Sequence, residues 1–194
     1  MTHPSDEVKD LGPDAGKAAW RAWARTARRG LGPEVAGLVV AGLAGWLAGA
    51  GPTTVLAYRA MAGEVPLDAL VAGDRRHRWA TTRTPDTGGL TVHAWDAPTE
   101  PHRFGFDQPV AGAAVVGLDE VGVVLVPGLV FDLRGGRLGH GKGYYDRLLA
   151  ALPGAVAVGV TTDAFVVPVV PTDRYDVPMA WLASESGVWR VTPG

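Results

Sequence analysis

From Gly135 to Asp146 the chain reads Gly-Gly-Arg-Leu-Gly-His-Gly-Lys-Gly-Tyr-Tyr-Asp, and these residue types suit phosphate binding. Glycine lets the backbone approach a ligand closely and take up positive φ. Arg137 and Lys142 add full positive charge to Gly135, Gly136, Gly139, Gly141 and Gly143. A helix beginning at Tyr144 would present bare N–H groups, which favour anions. Asp146, just inside that helix, is placed to hold a metal that accompanies the phosphates. Gly136 to Lys142 also fits the spacing G-x-x-x-x-G-K of a Walker loop. Against that stands Gly143, where Ser or Thr would ligate magnesium, and a preceding apolar run that ends well upstream. A dinucleotide fingerprint fares no better, because no acidic residue follows at the end of a second strand.

Elsewhere the chemistry is sparse. Lys17 and Arg21 lie one helical turn apart and share a face. The 5 histidines (His3, His77, His93, His102 and His140) show no metal-ligand spacing. Cysteine is absent, which removes disulfides, thiolate ligands and cysteine nucleophiles. No Ser–His–Asp set is apparent. The formal net charge of −2 gives no support for a general nucleic-acid or membrane surface. The opening residues MTHPSDEVKD lack the basic-then-apolar pattern of a signal peptide, so a cytoplasmic location is expected.

The elements that must position these groups follow from local pattern. Residues 1–13 are polar and aperiodic and are expected to be a disordered leader; residues 14–194 then form one domain. Asp14 to Gly30 reads as a basic helix capped by Asp14. Val35 to Ala50 is apolar but glycine-interrupted, and shorter than the roughly 20 residues of a spanning helix, so it should pack on the fold. Strands are expected at Thr53–Tyr58, Arg78–Thr82, Leu90–Trp95, Val121–Val126 and Ala155–Val160. Helices are expected at Pro66–Ala72 and from Tyr144 to Leu152, with Pro98–Pro109 as a loop. Alternating strands and helices predict an α/β fold: a mostly parallel central sheet flanked by helices, in a Rossmann-like three-layer arrangement. Functional loops then fall at the carboxyl ends of the strands.

The glycine segment resembles the signature of the 5-formyltetrahydrofolate cyclo-ligases, also called methenyltetrahydrofolate synthetases. That signature runs P-G-h-h-F-D-x-x-G-x-R-L-G-x-G-x-G-Y-Y-D. It is matched by Pro127, Gly128, Phe131, Asp132, Gly135, Arg137, Leu138, Gly139, Gly141, Gly143, Tyr144, Tyr145 and Asp146. Lys17 and Arg21, Glu64, Gln108-Pro109 and the segment Val170 to Asp176 agree with the family in order.

The resemblance implies conversion of 5-formyltetrahydrofolate to 5,10-methenyltetrahydrofolate, with ATP as co-substrate and Mg²⁺, through phosphorylation of the formyl oxygen. Arg137 and Lys142 would be catalytic. Lys17, Arg21 and the run Arg137, Leu138, Gly139, His140, Gly141, Lys142, Gly143, Tyr144, Tyr145 would bind ATP. Met61 and Glu64 would bind the reduced folate, together with His140, Gly141, Lys142, Gly143 and Tyr144. Asp146 and Asp176 would ligate the metal. Asp132 would brace the loop. A monomer or weak oligomer is expected, with neither nucleic acid nor membrane as partner. The alternative is a non-catalytic folate- or nucleotide-binding relative of the same fold. Ala180 departs from the family, since many relatives carry a second acid there.

Overall fold

A computed structural model of the protein describes Leu11, residues 15–28 and residues 32–192. The expected Asp14 cap, the Gly30 stop and, Leu11 apart, the expected leader lie outside the described residues. In chain order the elements are α1 (Lys17–Ala27), α2 (Pro33–Ala48), β1 (Thr54–Leu56), α3 (Asp68–Gly73), β2 (Arg78–Arg83), β3 (Thr91–Ala94), β4 (Thr99–Pro101), β5 (Asp107–Pro109), β6 (Val121–Pro127), β7 (Val130–Asp132), β8 (Arg137–Leu138), α4 (Tyr144–Ala150), β9 (Val156–Val160), β10 (Val166–Val167), β11 (Trp181–Ser184) and β12 (Gly187–Arg190).

The central sheet has 7 strands in the order β12-β11-β9-β6-β1-β2-β3. Its inner strands, β11 through β2, are all parallel, and an antiparallel strand closes each edge. Strand β6 lies at the centre. Its apolar run has no polar face because helices cover both sides. Val123 and Leu125 pack with Val39, Leu43 and Leu47 of α2 and Leu70 of α3. Val124 and Val126 pack on the other face with Leu148 and Leu149 of α4. This is the α/β, three-layer arrangement expected from the sequence. Helix α2 takes its place in it as a packed layer, and among the described residues no helix is long and apolar enough to cross a membrane.

A second, small sheet, β10-β7-β8, stands off the carboxyl end of β6. It buries Leu129, Val130, Leu138, Val167 and Val170 against Trp20 and Ala24 of α1. Sequence periodicity missed β7, β8 and β10 because strands of two or three residues carry no measurable alternation.

Two further expectations are corrected. Pro98–Pro109 is not a loop but the hairpin β4–β5, paired from Thr99↔Pro109 to Pro101↔Asp107. Its prolines and charges hide its strand character. Helix α4 stops at Ala150, short of Leu152; the remaining residues close a turn, with Leu152 N donating to Leu149 O at 3.0 Å.

Candidate active site

Strand β6 delivers the chain to Pro127 at the carboxyl edge of the sheet, and the β7–β8 hairpin turns it back beneath α1. Asp132 fixes that hairpin. Its Oδ1 accepts from Arg134 N at 2.9 Å and Gly136 N at 2.7 Å, while Oδ2 accepts from Val170 N at 2.9 Å. The carboxylate is 2% exposed, so these bonds replace its water. Beyond β8 the loop depends on two glycines. Gly141 has φ +97, and a Cβ there would sit 3.3 Å from the Arg21 guanidinium. Gly143 has φ +63 and is the residue from which α4 starts. With only 7 residues in α4, the helix dipole is a minor source of positive potential. The side chains supply most of it.

One cleft of about 920 Å³ collects every site residue expected from the sequence, from Lys17 and Arg21 through Met61 and Glu64 to the loop, Asp146 and Asp176. That volume is near the upper end of ligand sites, about 300–1,000 Å³, so it has room for more than one small ligand. Seven cations line it (Lys17, Arg21, Arg25, Arg59, Arg137, Lys142 and Arg147) against four carboxylates (Glu64, Asp146, Asp173 and Asp176). The cleft is therefore three charges positive within a chain whose net charge is −2.

The cations differ in how firmly they are held. Arg137 is 5% exposed, with Nη2 donating to Asp146 Oδ1 at 2.7 Å and Nη1 to Pro127 O at 3.3 Å. Arg21 Nε donates to Gly139 O at 2.9 Å and so grips the loop from α1. Lys17 Nζ contacts Asp176 Oδ2 at 2.5 Å and Asp173 Oδ2 at 2.8 Å. Burial draws the Lys17 ammonium down, but hydrogen bonds to Asp173 and Asp176 outweigh this and hold it above its ordinary value. The same bond from Lys17, helped by Tyr175 N, keeps the Asp173 carboxyl below the usual range. Lys142 is exposed on the cleft wall. Leu138 is 1% exposed and anchors the loop in the small core.

At the sheet end of the cleft, Glu64 closes a tight turn, with Met61 N donating to Oε2 at 2.9 Å. Its other oxygen, Oε1, is buried without a hydrogen-bond partner. His140 Nε2 lies 3.7 Å from it, beyond hydrogen-bond reach. A buried carboxylate oxygen left bare is costly, and a ligand N–H would satisfy it. Tyr58 donates to Val65 O at 2.9 Å. Burial pushes both the Tyr58 and Tyr145 phenols up. The charge of Glu64 adds to the rise in both, while a hydrogen bond with Thr82 opposes it at Tyr145. Both phenols therefore stay protonated at neutral pH. Tyr144 lines the cleft with the Arg147 guanidinium 5.2 Å from its ring centre.

Asp146 and Asp176 each give one oxygen to a cation, which leaves the other for a metal. Among the described residues no group of three or more His, Cys, Asp or Glu forms a metal cage. Two carboxylates completed by phosphate oxygens and water is a donor set that Mg²⁺ accepts, so the residues fit such an ion. Ala180 does not line the cleft, and the second acid beside Asp176 is Asp173. Sequence reasoning missed Asp173, although its place three residues before Asp176 was a usable signal. It also missed Phe104 and Phe106, which line the cleft from the β4–β5 hairpin.

Known proteins share this fold. The solved structure of Aquifex aeolicus 5,10-methenyltetrahydrofolate synthetase superposes with a TM-score of 0.78 at 29% identity, covering 92% of this chain and 94% of that one. A 5,10-methenyltetrahydrofolate synthetase from Mycoplasma pneumoniae shares the fold, with a TM-score of 0.71 at 18% identity over 87% of this chain and 98% of that one. The 5-formyltetrahydrofolate cyclo-ligase of Haemophilus influenzae is 33% identical over 87 residues, 43% of this chain and 46% of that protein. That of Mycolicibacterium smegmatis is 40% identical over 63 residues, 32% of each. The chain thus spans less than half the length of these two relatives. The sequence profile of the 5-formyltetrahydrofolate cyclo-ligase family matches residues 80–184, from β2 through the loop to β11, and the chain belongs to that family.

Proposed function

We propose that the protein converts 5-formyltetrahydrofolate to 5,10-methenyltetrahydrofolate, with ATP as co-substrate and release of ADP and phosphate. The observation that carries this reading is the pairing, in one cleft, of a bare buried Glu64 oxygen with a cationic glycine loop. Glu64 Oε1 accepts from the N–H groups of the pterin, with Met61 beside it. Lys17, Arg21 and Lys142 hold the phosphates, and the run from Leu138 to Tyr145 lines the junction between phosphate and pterin.

The chemistry needs positioning more than a nucleophilic side chain. Formamide oxygen is a poor leaving group. Transfer of the γ-phosphoryl to it breaks the bond to the ADP oxygen and activates the formyl carbon. The folate N-10 amine then attacks that carbon, and the phosphorylated oxygen departs as phosphate. Lys142 offsets negative charge on the transferring group. Arg137 keeps Asp146 in place and adds positive potential from behind the loop. Asp146 and Asp176 would hold Mg²⁺, which would supply positive charge to offset that of the phosphates.

Growth of methenyltetrahydrofolate absorbance, dependent on both ATP and magnesium, is the expected result with purified protein. Ligand binding without product would replace this reading by the non-catalytic one. Neither binding nor product would remove both.

A further inference from the structure

Arg28 caps the carboxyl end of α1 and does not line the cleft, yet it ties together the segments that do. Its Nη1 donates to Gly63 O at 3.1 Å, immediately before Glu64. Its Nη2 donates to Gly128 O at 2.6 Å and Leu129 O at 3.2 Å, where β6 passes into the loop-bearing hairpin. The guanidinium carbon stands 4.7 Å from the centre of the Phe165 ring, which closes one side. Gly63 rests on the Arg28 stem: a Cβ there would meet Arg28 Cβ at 3.5 Å. One planar, always-charged fork thus spans three segments far apart in sequence, a task the single ammonium of lysine cannot reproduce.

The geometry has a direction. The same helix that ends in Arg28 carries Lys17 and Arg21 into the cleft. Trp20 and Ala24 of the same helix pack in the small core, so Lys17, Arg21 and Arg28 ride on one packed element. A shift of α1 toward bound phosphate therefore pulls on Gly63 and, through the next peptide, on Glu64.

We infer that Arg28 is a positioning residue that couples the nucleotide and folate ends of the cleft, so that each ligand binds more tightly in the presence of the other. The inference rests on the function proposed above. The coupling is reciprocal by linkage. The Lys17–Arg21 face of α1 and the Glu64 turn are thus joined through one helix and the Arg28 guanidinium.

The test is calorimetric titration of 5-formyltetrahydrofolate, with and without a non-hydrolysable ATP analogue, into the whole chain and into Arg28→Met and Arg28→Lys. The unsubstituted protein should bind folate about tenfold more tightly once the analogue is present. In Arg28→Met that ratio should fall to about one, while the analogue alone binds within about twofold of normal, an outcome that general loosening would not give. Arg28→Lys should retain part of the ratio, and it carries the test if Arg28→Met does not fold. Folate KM should rise more than kcat falls in both variants. A ratio unchanged in the folded variants, or absent in the unsubstituted protein that binds both ligands, overturns the role of Arg28 alone. Failure of the unsubstituted protein to bind folate at all overturns the function from which the inference starts.

Discussion

Lys142 and Arg137 carry the same charge in the same loop, but their surroundings give them different predicted phenotypes. Lys142 is exposed, so Lys142→Ala should leave stability within about 0.5 kcal/mol. Its loss should lower kcat by ~100-fold or more, because a donor aimed at developing charge is removed. Arg137 is 5% exposed and paired with Asp146. Arg137→Ala should therefore lose activity and also roughly 3 kcal/mol of stability, since it strands a largely buried carboxylate. Melting curves alongside turnover separate the two; equal melting points would refute the bracing role. Elsewhere in the cleft, the Lys17–Asp173 contact predicts a pH effect. The Asp173 carboxyl is depressed in the folded chain, chiefly by its bond from Lys17, so its stabilisation is present above the ordinary carboxylate range and fades as pH falls through the depressed value. The melting-point gap between the natural chain and Asp173→Asn should be open at neutral pH and close in acid. A gap that ignores pH would discard this contact. Arg137 and Asp146 were legible in the sequence because the loop signature is long, Lys142 because it stands among the glycines of that loop, and Glu64 because it agrees with the family in its order along the chain. Asp173, Phe104 and the bare oxygen of Glu64 were not, because their significance arises only from what folding brings beside them.

Among the elements, the β4–β5 hairpin is the one whose role could not be foreseen. Its strands have three residues each and include Pro101 and Pro109, so neither period nor propensity marks them. A tertiary clasp defines it instead. Arg83, at the end of β2, donates from Nη1 to Glu100 Oε1 at 2.5 Å and to Pro109 O at 2.5 Å. Thr84 N donates to Gln108 Oε1 at 3.1 Å. The hairpin so held presents Phe104, 53% exposed, and Phe106 to the cleft near the carboxyl ends of β1 and β2. Long apolar elements such as β6 and α2 were legible because burial on a sheet imposes composition over many residues; a clasp of one arginine does not. Arg83→Ala should leave the central sheet intact and free the hairpin. Amide exchange across residues 99–109 should accelerate, and folate KM should rise severalfold with a smaller change in kcat, the opposite split from Lys142→Ala. Exchange and KM both at natural values would mean that the hairpin takes no part in binding.

At the scale of the whole molecule, charge is separated rather than abundant. The chain carries 20 acidic against 18 basic side chains, yet its principal cleft is three charges positive. The acids that outnumber the bases therefore lie outside the cleft. Both proposed substrates are anions, so the cleft's field should steer them inward over distances comparable with the Debye length, about 10 Å at 0.1 M salt. Added salt should lower kcat/KM steeply for both ATP and folate. It should lower kcat much less, because salt acts on the approach of the anions rather than on substrate already bound at the proposed site. Thermal stability should move little, since the core is apolar and most of the ion pairs are at least partly exposed, where each contributes about 1 kcal/mol or less. Viscosity and specific-ion effects are controlled by repeating the series with a neutral co-solute and with two different salts. If kcat/KM is flat between low and physiological ionic strength, the cationic wall is neutralised by Asp146, Asp173 and Asp176 before substrate arrives. In that case the Lys17 and Arg137 pairs would have to open on binding, and the rate of that opening would set the rate of association.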